Sequence, residues 1–184
     1  MQAIVAREKE KGKYHEHIKI QANSTGHCYE SLFGRFLDGE VREISVEVGC
    51  LSYLTFHLLF WKDPYLRSHH QLINLLRLCE LSVARCPALQ EVRVLTSRDP
   101  HQAGEQEAKL TELQGSLAGR GVTLSWQFSP TLHDREVRLN TGWVVRLGRG
   151  LDIYKAPDGK MSLGCYDLNL RKCLDCTVDI YFKK

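Results

Sequence analysis

Between residues 41 and 128 the apolar residues change period from two to about 3.6 and back again, twice over, and that order confines the chain to very few architectures. Residues 41–48 alternate as a strand. From about 68 to 86, Leu72, Leu75, Leu76, Leu78, Cys79 and Val83 mark one face of a helix, which Pro87 stops. Residues 91–96 read as a buried strand, 103–117 as a polar helix closed by Gly119 and Gly121, and 122–128 as another strand. Strand patterns alone follow, at 136–147 (strand or hairpin), 161–167 and 177–182. Ahead of the alternating core, residues 13–21 predict a first strand. Tyr29, Leu32, Phe33, Phe36 and Leu37 recur at helical spacing up to Gly39. Strands alternating with helices, then strands by themselves, indicate an α/β or α+β domain built on a mixed sheet.

A chain of 184 residues, 43% hydrophobic and 26% charged, suits one globular domain that buries its core without metal or disulfide staples. Its net charge of +3 is too mild to hold it on nucleic acid or an anionic membrane unless a local patch concentrates it. No nucleic-acid partner is expected. Residues 1–12 lack an apolar signal core and are mostly charged from residue 7, so a cytoplasmic, reducing setting is expected for the seven cysteines. Cys173-Leu174-Asp175-Cys176 has redox or zinc spacing, but no second such pair accompanies it. It therefore reads as free thiols near a strand, with no metal and no cofactor. The longest apolar run, residues 48–61, is fourteen long and falls short of the twenty or so that cross a bilayer as a helix.

The segment from His133 to Trp143 sets a histidine two residues before an arginine on what looks like a strand. Residues i and i+2 share a side, so His133 and Arg135 can meet one phosphate, the imidazole at phosphorus or oxygen and the guanidinium forked onto two oxygens. The spacing resembles the His-x-Lys-x4-Asp signature of the phospholipase D superfamily, with Arg135 at the lysine position and Asn140 at the acid position. A planar guanidinium does not replace a compact ammonium, and an amide cannot stabilise an imidazolium. One motif where the superfamily's chemistry uses two histidines favours phosphate binding over hydrolysis.

A longer series of blocks resembles the family of phospholipase D-like domains found at the C-terminus of MIT domain proteins. They are Tyr29-Glu30-Ser31-Leu32-Phe33, Asp63-Pro64-Tyr65-Leu66-Arg67, His70-Gln71-Leu72, Leu95-Thr96-Ser97, His133-Asp134-Arg135-Glu136, Gly142-Trp143, Gly148-Arg149-Gly150-Leu151-Asp152 and Thr177-Val178-Asp179-Ile180. The resemblance spans about residues 13–184. It implies a single phospholipase D-like domain, a mixed sheet flanked by helices, that is homodimeric, non-catalytic and binds phosphoinositide membranes. It further implies work beside ESCRT filaments in the last cut of cytokinesis, on late endosomal membrane and at the midbody. In such proteins a separate MIT domain grips the ESCRT subunits. Residues 1–12 would be a charged remnant, and ESCRT subunits are expected as partners only if a longer product carries an MIT domain. Against the family pattern, residues 48–62 read as an insertion, of the kind a retained intron or variant splice leaves. The other reading is a membrane-inserting loop with Tyr53, Phe56, Phe60 and Trp61 at the interface.

The expected phosphate and lipid site comprises His133, Arg135, Arg67, His70, Arg138, Arg146 and Arg149, with no catalytic residue. Ligands gather where strands end and helices begin, so Arg67, His69 and His70 are expected to join His133 and Arg135 if the two segments converge. Arg138, Arg146, Arg149 and Lys155 are expected to extend that positive region. Trp143 is expected in the core. The rival expectations are a phosphodiesterase in which a dimer supplies the second His133, and a protein-interaction module.

Overall fold

A computed structural model describes residues 14–48, 69–129 and 135–183. Residues 1–13, nearly all of the proposed insertion, Arg67 and His133 lie outside the described residues. Seven strands form one sheet in the order β1-β7-β6-β5-β2-β3-β4. In chain order the elements are β1 (His15–Ile20), α1 (Tyr29–Phe33), β2 (Glu43–Val48), α2 (His69–Arg85), β3 (Glu91–Thr96), α3 (Ala103–Ala118), β4 (Thr123–Phe128), β5 (Arg135–Leu139), β6 (Trp143–Leu147) and β7 (Cys176–Phe182).

The sheet divides as the alternating patterns require. The strands separated by helices, β2, β3 and β4, are parallel, because a chain that must return across the sheet uses a helix as its crossover. The remaining strands pair antiparallel, β2 with β5, β5 with β6, β6 with β7 and β7 with β1. At the β5–β6 turn Gly142 takes φ +94° with its backbone against Lys183, where a Cβ would sit 2.7 Å from the carbonyl oxygen. One face of the sheet carries Ile44, Val46, Val92, Val94, Leu124, Val137, Leu139, Val145, Leu147, Val178 and Ile180. These residues share a single core with Leu72, Leu75 and Leu78 of α2, Leu110, Leu113 and Leu117 of α3, and Leu32 and Phe33 of α1. Each fully buried Leu or Ile there contributes about 2 kcal/mol of apolar transfer. Trp143 lies in this core as expected, 4% exposed, with Tyr14, Phe36 and Phe182 packed round it at ring-centroid distances of 5.1, 4.6 and 5.3 Å. Among the described residues no helix covers the opposite face.

Two expected elements differ. The helical spacing that began at Tyr29 gives an α-helix only to Phe33. The chain then turns, Phe36 N–H donating to Phe33 O at 2.8 Å, yet Phe36 and Leu37 remain buried. Residues 161–167 are not a strand but a series of turns. The alternation of Met161, Leu163 and Cys165 is genuine, but the Arg171 guanidinium occupies the carbonyls of Gly164 and Cys165 that a ladder would use. Gly164 meanwhile bends the chain with φ +80°.

Candidate anion-binding site

The parity of β5 sorts the expected site residues into two places. Arg135 opens the strand opposite Val48 and donates from Nη1 to Gly148 O at 2.6 Å. His70, near the start of α2, has its Nε2 3.3 Å from Asp152 Oδ2, and Asp152 also accepts from Gln71 at 3.3 Å and Asn74 at 3.5 Å. Arg149 lies on the turn between these two contacts, half-buried, with Nε shielded and without a hydrogen bond. Arg135, His70 and Arg149 therefore all touch or belong to the 148–152 segment.

Arg138 and Arg146 do not extend this region. Side chains of a strand alternate, so Arg138 stands opposite in sense to Arg135 and lies on the uncovered face. There Arg138 ion-pairs with Glu136 Oε1 and reaches to 3.9 Å from Glu47 Oε1. Arg146, the cross-strand neighbour of Glu136, donates to its Oε2 at 3.2 Å, and the Tyr181 hydroxyl donates to the same oxygen at 3.4 Å. Glu136 is only 1% exposed. Burial, then the negative charge of Glu136, pushes the Tyr181 phenol above its usual pKa and keeps it a neutral donor. These two arginines are occupied in neutralising one buried carboxylate. Asn140 is also occupied: its Oδ1 accepts from the backbone N–H of Arg42 at 2.9 Å and of Glu43 at 3.2 Å. It secures the entry to β2 at the far end of β5 from Arg135.

A different cleft gathers positive charge. It has a volume of about 770 Å³ and lies between α2 and the segments that carry residues 152–157 and 171–174. From α2, His69, His70, Ile73, Asn74 and Arg77 line it at the spacing of one helical face. From the far wall come Asp152, Tyr154, Lys155 and Arg171. Arg171 is 9% exposed, and its guanidinium donates to three backbone carbonyls: Gly164 O, Cys165 O at 2.5 Å and Lys155 O at 3.2 Å. All three acceptors are neutral. Burial, and next the charge of Arg77, lowers the pKa of Arg171, so the two cations repel across the cleft. Arg77 makes no ion pair among the described residues. Lys155 Nζ donates to the neutral Asn23 Oδ1 at 2.8 Å. Among the described residues the cleft has one lining carboxylate, Asp152, which is already shared by His70, Gln71 and Asn74.

The floor beneath is neutral. Tyr154 donates to His27 O at 2.9 Å and Tyr29 to Leu151 O at 2.6 Å, and burial drives both phenol pKa values upward. Two cations held by neutral partners, Lys155 and Arg171, and Arg77 without an ion pair among the described residues leave positive potential that phosphate oxygens can satisfy, the guanidinium of Arg77 offering a fork for two of them. Cys173 and Cys176 pack beside this region as buried thiols whose pKa values burial raises, which is the behaviour of small hydrophobes. No group of metal-ligating side chains occurs among the described residues. Sequence reading passed over Arg77 altogether, because a lone arginine in a helix carries no signal. Arg171 is likewise absent from the expected site.

A seven-stranded mixed sheet with parallel crossovers on one side and an antiparallel run on the other defines a phospholipase D-like α/β domain. Residues 26–182 match the family described as the phospholipase D-like domain at the C-terminus of MIT, and the chain belongs to that family. It is similar to MIT domain-containing protein 1 of Mus musculus, with 43% identity over 178 residues, covering 96% of this chain and 66% of that protein. The chain thus spans just under two thirds of that relative's length.

Proposed function

We propose that this chain is a non-catalytic domain that binds phosphoinositide-bearing membranes and works in ESCRT-dependent cytokinesis. The observation that carries the membrane part is the cleft of Arg77, Lys155 and Arg171: Lys155 and Arg171 donate to neutral acceptors, Arg77 makes no ion pair among the described residues, and the lining carboxylate Asp152 is shared by three other side chains. Its volume falls within the roughly 300–1,000 Å³ of small-ligand sites and suits a headgroup with several phosphates. Each cation near an anionic surface adds about 1 kcal/mol of attraction. Arg135, His70 and Arg149, which touch or belong to the 148–152 segment, belong to the same proposal, as do the sequence-expected Arg67 and His133.

Two features support binding over hydrolysis. Arg135, at the superfamily's lysine position, is tied to Gly148 O, and Asn140, at its acid position, caps β2 and orients no imidazole. The ESCRT role is supported by membership of a family named for its place at the C-terminus of MIT. ESCRT subunits would be engaged through an MIT domain in a longer product, on late endosomal membrane and at the midbody. A homodimer belongs to the same proposal, with the uncovered sheet face as the surface available for a second copy.

The test is sedimentation of the chain with phosphatidylcholine vesicles, with and without phosphoinositide, at low and high salt, alongside a diester-hydrolysis assay. Phosphoinositide-dependent binding that weakens with salt, and no turnover, is the expected result. Turnover abolished by His133→Ala would make the protein a phosphodiesterase. Neither binding nor turnover would leave a protein-interaction domain.

A further inference from the structure

We infer that the 158–170 loop is a membrane-inserting element that enters the bilayer while the adjoining cleft takes a lipid headgroup. This rests on the membrane reading above and adds to it the apolar half of the contact. Met161 is 97% exposed, Leu163 89% and Tyr166 84%, the largest values among the described bulky hydrophobic residues. Exposed apolar side chains of that size need a partner, and three together on one projecting segment point to a common one.

The loop is built rather than slack. Ser162 Oγ donates to Gly159 O at 2.7 Å and accepts from Gly159 N–H at 3.0 Å. At the base Leu168 is buried, Asn169 O accepts from Gly26 N–H at 2.8 Å, and Arg171 holds the carbonyls of Gly164 and Cys165. Gly164 packs so closely that a Cβ would lie 2.8 Å from Leu170 O. Hydrophobes displayed from a fixed base lose little conformational freedom when they insert.

The occupant is a lipid surface because of what flanks the apolar tip. Residues 155–172 carry Lys155, Lys160, Arg171 and Lys172 against Asp158 and Asp167, an excess of cations that complements anionic headgroups. Lys172 is paired with Asp158 at 3.0 Å, whereas Lys160, beside Met161, makes no ion pair among the described residues. A tyrosine at the margin of the apolar tip suits the headgroup level. Arg171 joins the two halves: it holds the loop carbonyls on one side and lines the cleft with Arg77 on the other. A headgroup seated in the cleft therefore sets the loop against the bilayer.

The experiment uses the full chain, with Met161→Ser/Leu163→Ser for affinity and L163W for depth. Sedimentation with phosphoinositide vesicles should weaken about tenfold or more in the double variant, since each side chain leaves water for hydrocarbon. Its circular dichroism and melting should stay unchanged, because both residues are exposed. The tryptophan added in L163W should shift to the blue on vesicle binding and be quenched by lipids brominated along the acyl chains, measured as the difference from the unsubstituted chain. Unchanged affinity of the double variant, or vesicle binding with no acyl-chain quenching, would overturn the loop's role and leave the cleft reading standing. A blue shift that depends on protein concentration without vesicles would assign the loop to a second copy and also overturn it. Absence of binding to any vesicle would remove both readings together.

Discussion

Arginines on the uncovered face of the sheet and arginines in the cleft beside α2 share one chemistry and differ in what surrounds them. Arg138 and Arg146 converge on Glu136, a carboxylate that the fold has taken out of water. Arg171 donates to neutral carbonyls, Arg77 makes no ion pair among the described residues, and Asp152, which lines their cleft, is shared by His70, Gln71 and Asn74. The first pair satisfies the protein, and the second leaves charge for something outside it. Counting cations would rank these places alike; asking what already neutralises each one separates them.

The comparison breaks most visibly at Glu136. Arg138→Ala/Arg146→Ala strands its carboxylate, and urea unfolding should show a loss of about 3 kcal/mol. That is the low end for an unpaired buried charge, since both arginines are partly exposed and their loss admits water. Vesicle binding at a temperature where the variant is folded should change little. A variant as stable as the parent that no longer sediments would invert the roles of the two regions.

Alkali separates the covered face from the charged one. Burial raises the Cys79 thiol from an ordinary 9.0 to about 12. Above pH 9 the unfolded chain gives up that proton while the folded chain keeps it, so stability declines as pH rises from 9 towards 12. The thiol alone contributes a loss of about 1.4 kcal/mol by pH 10, and arginines stay charged throughout. Denaturant midpoints measured from pH 8 to 10.5 should fall, and Cys79→Ala should make the fall shallower. A flat profile would show that Cys79 is reached by water.

Much of this fold was legible from period alone. β3 matches its expected limits, α2 and α3 differ from theirs by a residue or so at an end, and the strand–helix alternation corresponds to the parallel strands observed. The 161–167 stretch misled because alternation describes side chains and says nothing about whether backbone partners are free; Arg171 had taken them. Parity on β5 was available in the sequence and would have set Arg138 apart from Arg135. The pairing of Arg77 with Arg171 was not available, since it joins a helix to a loop far along the chain. Nor does the amide of Asn140 announce that it binds the backbone of Arg42 and Glu43.

The most direct test removes one positive charge from each region in turn, Arg77→Gln in the cleft and Arg146→Gln on the sheet, where Arg138 still pairs with Glu136. Affinity for phosphoinositide vesicles, measured by sedimentation at low salt, should fall about fivefold in Arg77→Gln, the worth of one cation at an anionic surface, and stay within about twofold in Arg146→Gln. Equal losses in the two variants, or a greater loss in Arg146→Gln, would contradict the cleft as the place where this domain meets its lipid.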